Sequence, residues 1–335
     1  MDWTEAELRT VIRLNKQKKS LVEIAATLLA EHGTRRTAKA IQHKRFDLRR
    51  YGEQIAGESC QEPSQEAPPT LVDDALQKEN AKLKHQLSLM QRSRVTQPME
   101  TDGDVFRFGS LSDTHKGSLY ANTGLLKYAY EQFEREGVSV VYHSGDMLDG
   151  EKMYGGHEYE LSVPGADAQV ADCAESYPYV KGIQTKFIDG NHDGSFWKRS
   201  GFRTGEKIAE AREDLECVGQ GESDVEVQTL KGSIIIRLSH PGKGTAYAIS
   251  YQPQKYIESL TGGHKPNVVL IGHYHKAEYL FYRNIHAFQC GTVQHQTPFM
   301  RERNIAAMQG FWIIELTVGK RGIVSCKSEF YPCYD

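Results

Sequence analysis

The fold is written most clearly in VSVVYHSGDMLDG, residues 138–150, where a β-branched run breaks at Gly145 and delivers Asp146 immediately downstream. The same form recurs on both sides. VFRFGSL (105–111) leads into Asp113-x-His115, and KFID (186–189) into Gly190-Asn191-His192-Asp193. SIIIRLS (233–239) leads into His240, and NVVLI (267–271) into Gly272-His273-Tyr274-His275. Short runs of this kind, bounded by turn residues, read as strands. Between the first two, Asn122 caps a helix running to Glu136, and another helix falls near 204–214. DVEVQTL (224–230), AEYLFY (277–282), HAFQC (286–290) and FWIIELTV (311–318) add strands. Residues 150–182, with Tyr154, His157, Tyr159, Tyr177 and Tyr179, read as an irregular insertion. High strand content interrupted by helices predicts an α/β fold of two sheets covered by helices.

Residues at strand ends can converge on one ligand although they are distant in sequence, because open α/β sheets gather ligands there. Taken singly, the blocks are weak: an aspartate after a strand is usually a turn or cap, and a histidine there is usually structural. Five in one order point to a shared centre. Hydrolysis of a phosphate ester needs a nucleophile made near neutral pH and positive charge against the phosphoryl oxygens, and two metal ions ~3.5–4 Å apart supply both. Such a pair asks for a bridging carboxylate, with imidazole and amide ligands completing each sphere without excess negative charge. Glycines beside Asp146, Asn191 and His273 let the backbone turn sharply.

In these blocks residues 105–317 resemble the calcineurin-like metallophosphoesterase superfamily. The resemblance implies an αββα sandwich of two mixed β-sheets flanked by helices, over about 104–335. Carried over position by position, it implies that Asp113, His115 and His275 bind one metal, that Asn191, His240 and His273 bind a second, and that Asp146 bridges them. It further implies His192 and Asp146 as the catalytic residues. His192 would be the general acid for the leaving oxygen or a stabiliser of the transition state, oriented by Asp146 or a neighbouring carboxylate, and a metal-bridging hydroxide would be the nucleophile. Asp149, Asp193 and Lys243 are placed behind the ligands or against substrate. The fourth block departs from the family's usual His-Gly, reading His240-Pro241-Gly242-Lys243-Gly244. His240 is retained because a strand delivers it. His157, His264, His286 and His295 belong to no block and are expected outside the ligand set. A mixed His/Asp/Asn set suits two divalent ions, with manganese the expectation carried forward and iron or zinc the alternatives.

The first fifty residues differ in kind. They hold 12 Lys/Arg against 6 Asp/Glu, whereas the remainder holds 29 against 38. Thr4 can cap a helix from Glu5, and Ser20 a second with Glu23 completing a capping box. Gly33 ends the second, and a third starts near Thr37. Trp3-Thr4, SLVEIAATL (20–28) and RRTAKAIQHKRFDL (35–48) resemble Myb/SANT-like and homeodomain-like helix-turn-helix modules, covering about residues 1–51. This implies a third helix in a major groove, with Lys39, Gln42, His43, Arg45 and Arg49 toward DNA. A basic protein-interaction helix is the alternative.

Residues 52–70 are rich in Glu, Gln, Ser and Pro and read as a flexible linker. In 71–94, Leu76, Leu83 and Met90 fall seven apart with Asn80 and Leu87 alternating, so a short coiled coil and a homodimer through it are expected, beside the reading of a lone amphipathic helix. RSRVTQPMETDGD (92–104) reads as a polar break.

With 39% hydrophobic and 25% charged residues and no apolar run near ~20 residues, the chain is not expected to span a membrane. The N-terminus has no secretory pattern, and six cysteines (60, 173, 217, 290, 326 and 333) form no Cys-x-x-Cys pair, so a cytoplasmic location is expected. Three features point the phosphoesterase toward DNA: the basic head, the pairing helix, and the GDMLDG block, similar to that of SbcD-like nucleases. A phosphatase or nucleotide phosphodiesterase localised to DNA by its head is the first alternative. A DNA-binding regulator with a silent phosphoesterase body is the second.

Overall fold

Val140 and Tyr142 face one side of their strand and Val141 the other, yet all three are completely buried, so this strand lies between two packed layers. The computed structural model describes residues 3–17, 19–34, 36–37, 40–41, 94–100, 103–242, 244, 246–260 and 265–334. They fall into two compact units, one within Met1–Asp74 and one within Ala75–Asp335.

In the larger unit, one mixed sheet has the order β12 (Gly322–Pro332), β11 (Gly310–Gly319), β2 (Val105–Leu111), β3 (Val140–His143), β4 (Gln184–Asp189), β5 (Leu215–Gln220). The second has β6 (Glu222–Gln228), β7 (Ser233–Ser239), β8 (Val268–Ile271), β10 (Ile285–Cys290), β9 (Ala277–Tyr282). β5 and β6 share only the pair Gln220 and Glu222, a corner at Gly221, so the hydrogen-bonded path turns there from one layer into the other. The central core fills the space between the layers. Phe106, Phe108, Tyr142 and Ile188 meet Val225, Ile236, Leu238, Leu270 and Phe288, and the Phe288 and Trp312 rings join β10 to β11 edge-on at 5.4 Å.

On the outer face of the first sheet lie α3 (Thr123–Arg135), α4 (Ala166–Ser176) and α5 (Thr204–Ala211). α6 (Tyr251–Ser259) covers the second sheet through Ile257. The layers are therefore helix, sheet, sheet, helix. Asn122 caps α3 as its sequence predicts, accepting from the Leu125 N–H at 2.9 Å.

Two segments depart from expectation. The polar stretch around residue 97 is not a break: β1 (Arg94–Glu100) pairs in parallel with β6, its register shifting between Val95 and Met99, where Pro98 has no N–H to offer. The open edge of β6 recruits the strand rather than any apolar pattern in it. The insertion 150–182 is ordered into a 3₁₀ turn (His157–Glu160) and α4, whose Val170 and Cys173 alone supply a buried apolar face.

In the smaller unit, α1 (Glu5–Lys16) and α2 (Leu21–His32) pack Val11, Leu14, Ile24 and Leu28 around Ile41. Glu7 caps α1 and accepts twice from the Arg36 guanidinium at 3.0 Å, and that guanidinium lies over the Trp3 ring at 4.6 Å. Ser20 and Glu23 form the predicted capping box, and Gly33 ends α2 with a left-handed φ of 64°. Lys39, Gln42, His43, Arg45 and Arg49, the 52–70 linker and all of the 71–94 helix except Arg94 lie outside the described residues. Among the described residues no helix is long and apolar enough to cross a membrane.

Candidate metal centre

Parallel pairing puts the C-terminal ends of β2, β3 and β4 side by side, and those of β7 and β8 on the facing sheet. The loops that follow are tied to each other by main-chain bonds: Asp113 N to Gly145 O (3.0 Å), His115 N to Asp146 O (3.1 Å) and Gly272 N to Ser239 O (3.0 Å). All five predicted blocks meet here.

Asp113, His115 and His275 form one buried group. His275 Nε2 lies 3.1 Å from Asp113 Oδ1 and 3.4 Å from His115 Nε2. Asp113 is anchored from behind by the His273 N–H at 3.0 Å. Asp146, His240 and His273 form a second group, and Asn191 joins it. His240 Nε2 is 2.9 Å from Asp146 Oδ2 and 3.1 Å from Asn191 Oδ1. Asp146 lies between the groups, its Oδ1 accepting the His192 N–H at 2.8 Å.

Hydrogen bonding on the far side of each ring tests whether these residues fit cations. The His240 Nδ1–H donates to the Ser144 carbonyl at 2.7 Å, so a neutral ring turns its Nε2 lone pair on two oxygen acceptors. The His115 Nδ1–H donates to Asp149 Oδ1 at 3.0 Å, so its Nε2 lone pair faces His275 Nε2. Lone pairs arranged against lone pairs are reconciled by positive charge between them, and the donor set fits two divalent cations.

Electrostatics agree. Burial works against an imidazolium at His115, but the hydrogen bond and charge of Asp149, with Asp146 and Asp113, prevail and hold its pKa at about 8. At His240 burial is likewise overcome, mainly by Asp146, and the value is about 9. Burial also acts against charge on Asp146, yet the surrounding His240, His192 and His115 keep its carboxyl well below the usual range. A proton-hungry, carboxylate-rich cavity of this kind exchanges protons for metal.

The backbone is strained to deliver these groups. Asp113, His115, Asp146, His273 and His275 all have left-handed φ, between 45° and 77°. Such conformations cost on the order of 1–3 kcal/mol each and persist where the surroundings impose them.

Gly190 allows the closest approach. A Cβ there would strike Asp146 Oδ1 and come within 2.5 Å of the Asp146 backbone nitrogen. Gly190→Ala is therefore expected to cost about 1–3 kcal/mol in stability and to displace Asp146. Its Tm should fall and its bound metal should drop in elemental analysis. A variant with unchanged Tm and full metal would show that the turn can shift.

The remaining predicted residues occupy distinct places. His192 has its Nδ1–H on the Asp149 carbonyl at 2.6 Å, so a main-chain oxygen and not a carboxylate is its nearest orienting partner. Burial pushes its pKa down to about 4, with Asp146 only partly opposing. Asp149 stands behind His115. Asp193 is buried and accepts from the Gly190, Leu148 and Met147 N–H groups, so it braces the turn and is not positioned to meet a substrate. Burial, then Asp146, raises its carboxyl to about 6. Lys243 and His264 lie outside the described residues. His286, on β10, bonds the Tyr279 hydroxyl at 2.8 Å. His157, which no motif marks, reaches Asp149 Oδ2 at 3.2 Å.

The sequence profile of the calcineurin-like phosphoesterase superfamily domain matches residues 106–308. No curated protein matches the chain in sequence. Among solved structures, an archaeal phosphodiesterase is 15% identical over 68% of this chain and 100% of its own, with a TM-score of 0.38. A conserved protein from Streptococcus pneumoniae TIGR4, described as a predicted phosphoesterase, is 13% identical over 68% and 98%, at 0.34. GAP50 of the Plasmodium inner membrane complex is 13% identical over 68% and 84%, at 0.41.

Proposed function

The chain belongs to the calcineurin-like phosphoesterase superfamily, and on that premise we propose that this metal-dependent phosphoester hydrolase cleaves the phosphodiester backbone of DNA. The observation that carries the choice of substrate is the charge split: a head of 12 Lys/Arg against 6 Asp/Glu ahead of an acidic remainder of 29 against 38. A polyanion is attracted to the head, and DNA offers one charge per ≈1.7 Å of helix axis. The head supplies attraction that the body lacks.

In this reading Asp113, His115 and His275 hold one divalent ion, Asn191, His240 and His273 the other, and Asp146 is shared. Bound there, the ions supply positive charge against the phosphoryl oxygens and lower the pKa of water. Manganese is the first candidate. His192 presents Nε2 toward the reacting ester, since its Nδ1–H is committed to the Asp149 carbonyl, and it hands a proton to the departing oxygen. An approaching phosphodiester anion raises the imidazole's proton affinity from its buried value. Lys39, Gln42, His43, Arg45 and Arg49 are the proposed DNA contacts, and residues 71–94 the proposed pairing helix.

The test offers the manganese-loaded full chain bis(p-nitrophenyl) phosphate, p-nitrophenyl phosphate, and labelled single- and double-stranded DNA, with chelator-stripped protein as control throughout and His192→Ala as control for DNA. Cleavage of DNA and the diester is expected, with DNA cleavage alone weakening steeply as salt rises. Monoester cleavage with DNA left intact would overturn the proposal in favour of a phosphatase localised by its head. A metal-loaded protein inert toward every ester would favour the silent regulator.

A further inference from the structure

We propose that His157, carried by the insertion and absent from every recognised block, is a positioning residue that fixes Asp149 and through it both His115 and His192. The activity arm of this inference rests on the hydrolase reading; the metal-binding arm does not.

Asp149 is a hub for three imidazoles. Its Oδ1 accepts the His115 Nδ1–H at 3.0 Å, its Oδ2 the His157 Nε2–H at 3.2 Å, and its main-chain carbonyl the His192 Nδ1–H at 2.6 Å. The tautomer of His157 follows from its other nitrogen, which accepts the Met153 N–H at 3.4 Å and leaves the proton on Nε2. Asp149 is only 2% exposed, so bulk water does not reach Oδ2 and the protein itself supplies its donor there. A carboxylate deprived of His157 would turn toward the nearest remaining donor. Apart from His115, which already holds Oδ1, that donor is His192 Nδ1, 3.7 Å from Oδ1. The rotation would loosen His115 and draw His192 off the carbonyl at once.

His157 is itself held firmly. It is 1% exposed and lies against the Tyr154 ring at 4.8 Å. Tyr154 stacks on Phe299 at 4.0 Å and donates its hydroxyl to Glu160 at 2.8 Å. The insertion is bonded to the loop just beyond His115, with Leu119 N on Glu160 O and Ser162 N on Gly117 O, both at 2.8 Å. It therefore braces the loop carrying a metal-binding histidine. Asp149, His157 and His192 also stand close enough to hold an ion of their own. The hydrogen bonds argue against it, since the ring protons of both histidines already point at oxygens.

The test compares His157→Ala, His157→Leu and His157→Gln in the full chain. Mn²⁺ affinity is measured by titration calorimetry on chelator-stripped protein, alongside Tm and, at saturating Mn²⁺, kcat and KM for a labelled oligonucleotide, whose alkoxide leaving group needs the His192 proton. Loss of such an outer partner typically costs about 10–100-fold in metal affinity or activity. That weakening is expected for Ala and Leu in both Mn²⁺ affinity and kcat, with KM nearly unchanged. Gln, whose side-chain N–H can still reach Asp149, should recover most of both. Equal behaviour of Gln and Leu, or unchanged Mn²⁺ affinity in all three, would overturn the proposal. Should the wild type hydrolyse no ester, the hydrolase reading fails, while Mn²⁺ affinity still decides the role of His157.

Discussion

Asp146→Asn is expected to lower kcat by on the order of 10³-fold or more and to leave the chain unable to keep two metals. Asn has the same shape, so packing is preserved and the change isolates the charge. In the wild type, Asp146 Oδ2 faces His240 Nε2 at 2.9 Å while Oδ1 accepts the His192 N–H. An amide can present only one oxygen. If that oxygen keeps the His192 N–H, an NH₂ group points into the cation position beside His240; if it turns to His240, the main-chain donor is orphaned. Two cations held by these residues would lose the anionic charge that Asp146 supplies between them. The charge of Asp146 is also the main influence opposing burial at His240. The variant's His240 should therefore titrate below the wild type's value of about 9, observable by NMR of metal-free protein. Elemental analysis and steady-state kinetics are the decisive measurements. An Asn variant holding two metals per chain with kcat within about tenfold of wild type would show that Asp146 is not shared.

The layering of the larger unit is legible from β-branched runs such as VVYH and NVVLI, because a strand buried on both faces tolerates no polar interruption until it ends. The meeting of the five blocks is legible for the same reason: polar residues follow the apolar runs directly, and parallel pairing brings those ends together. What escapes is set by tertiary context. β1 is polar in sequence and exists because β6 offers an unpaired edge. α4 has too few apolar residues to show a helical period, and its Val170 and Cys173 become a buried face only once the sheet lies beneath them.

His157 escapes for a different reason. Its partner, Asp149, is eight positions away, and the pair meets because the intervening chain folds back through left-handed residues at Gly150, Lys152 and Gly156. The left-handed backbone of Asp113, His115, Asp146, His273 and His275 is equally hidden, since Asp and His tolerate that region without requiring it. His192 shows how fine the margin is. A carboxylate is the expected orienting group, yet the Asp149 side chain is already engaged by His115 and His157, and its carbonyl is left to take the His192 proton.

That arrangement makes the effect of His192→Ala depend on the leaving group. With Nδ1–H held by a carbonyl, proton transfer to the departing oxygen must pass through Nε2. A nucleotide alkoxide needs that proton, whereas p-nitrophenolate departs as a stable anion. Loss of a general acid typically costs about 10²–10⁴-fold where the proton is needed. The variant is therefore expected to lose that much on DNA, and less than about tenfold on bis(p-nitrophenyl) phosphate. Burial holds His192 down to about 4 before substrate binds, so the acid form is the minor one at neutral pH. Its population grows as pH falls toward that value, and the ratio of wild-type to variant rates on DNA should rise between about pH 8 and pH 6. Metal retention pulls the other way, because His115 and His240, at about 8 and 9, take up protons over the same range. Saturating Mn²⁺ removes that contribution, and the ratio cancels what remains because both proteins share the two histidines. Equal losses on both esters, with a ratio independent of pH, would leave His192 as a stabiliser of charge and not a donor of protons. The Asp149 carbonyl would then serve only to hold its ring in place.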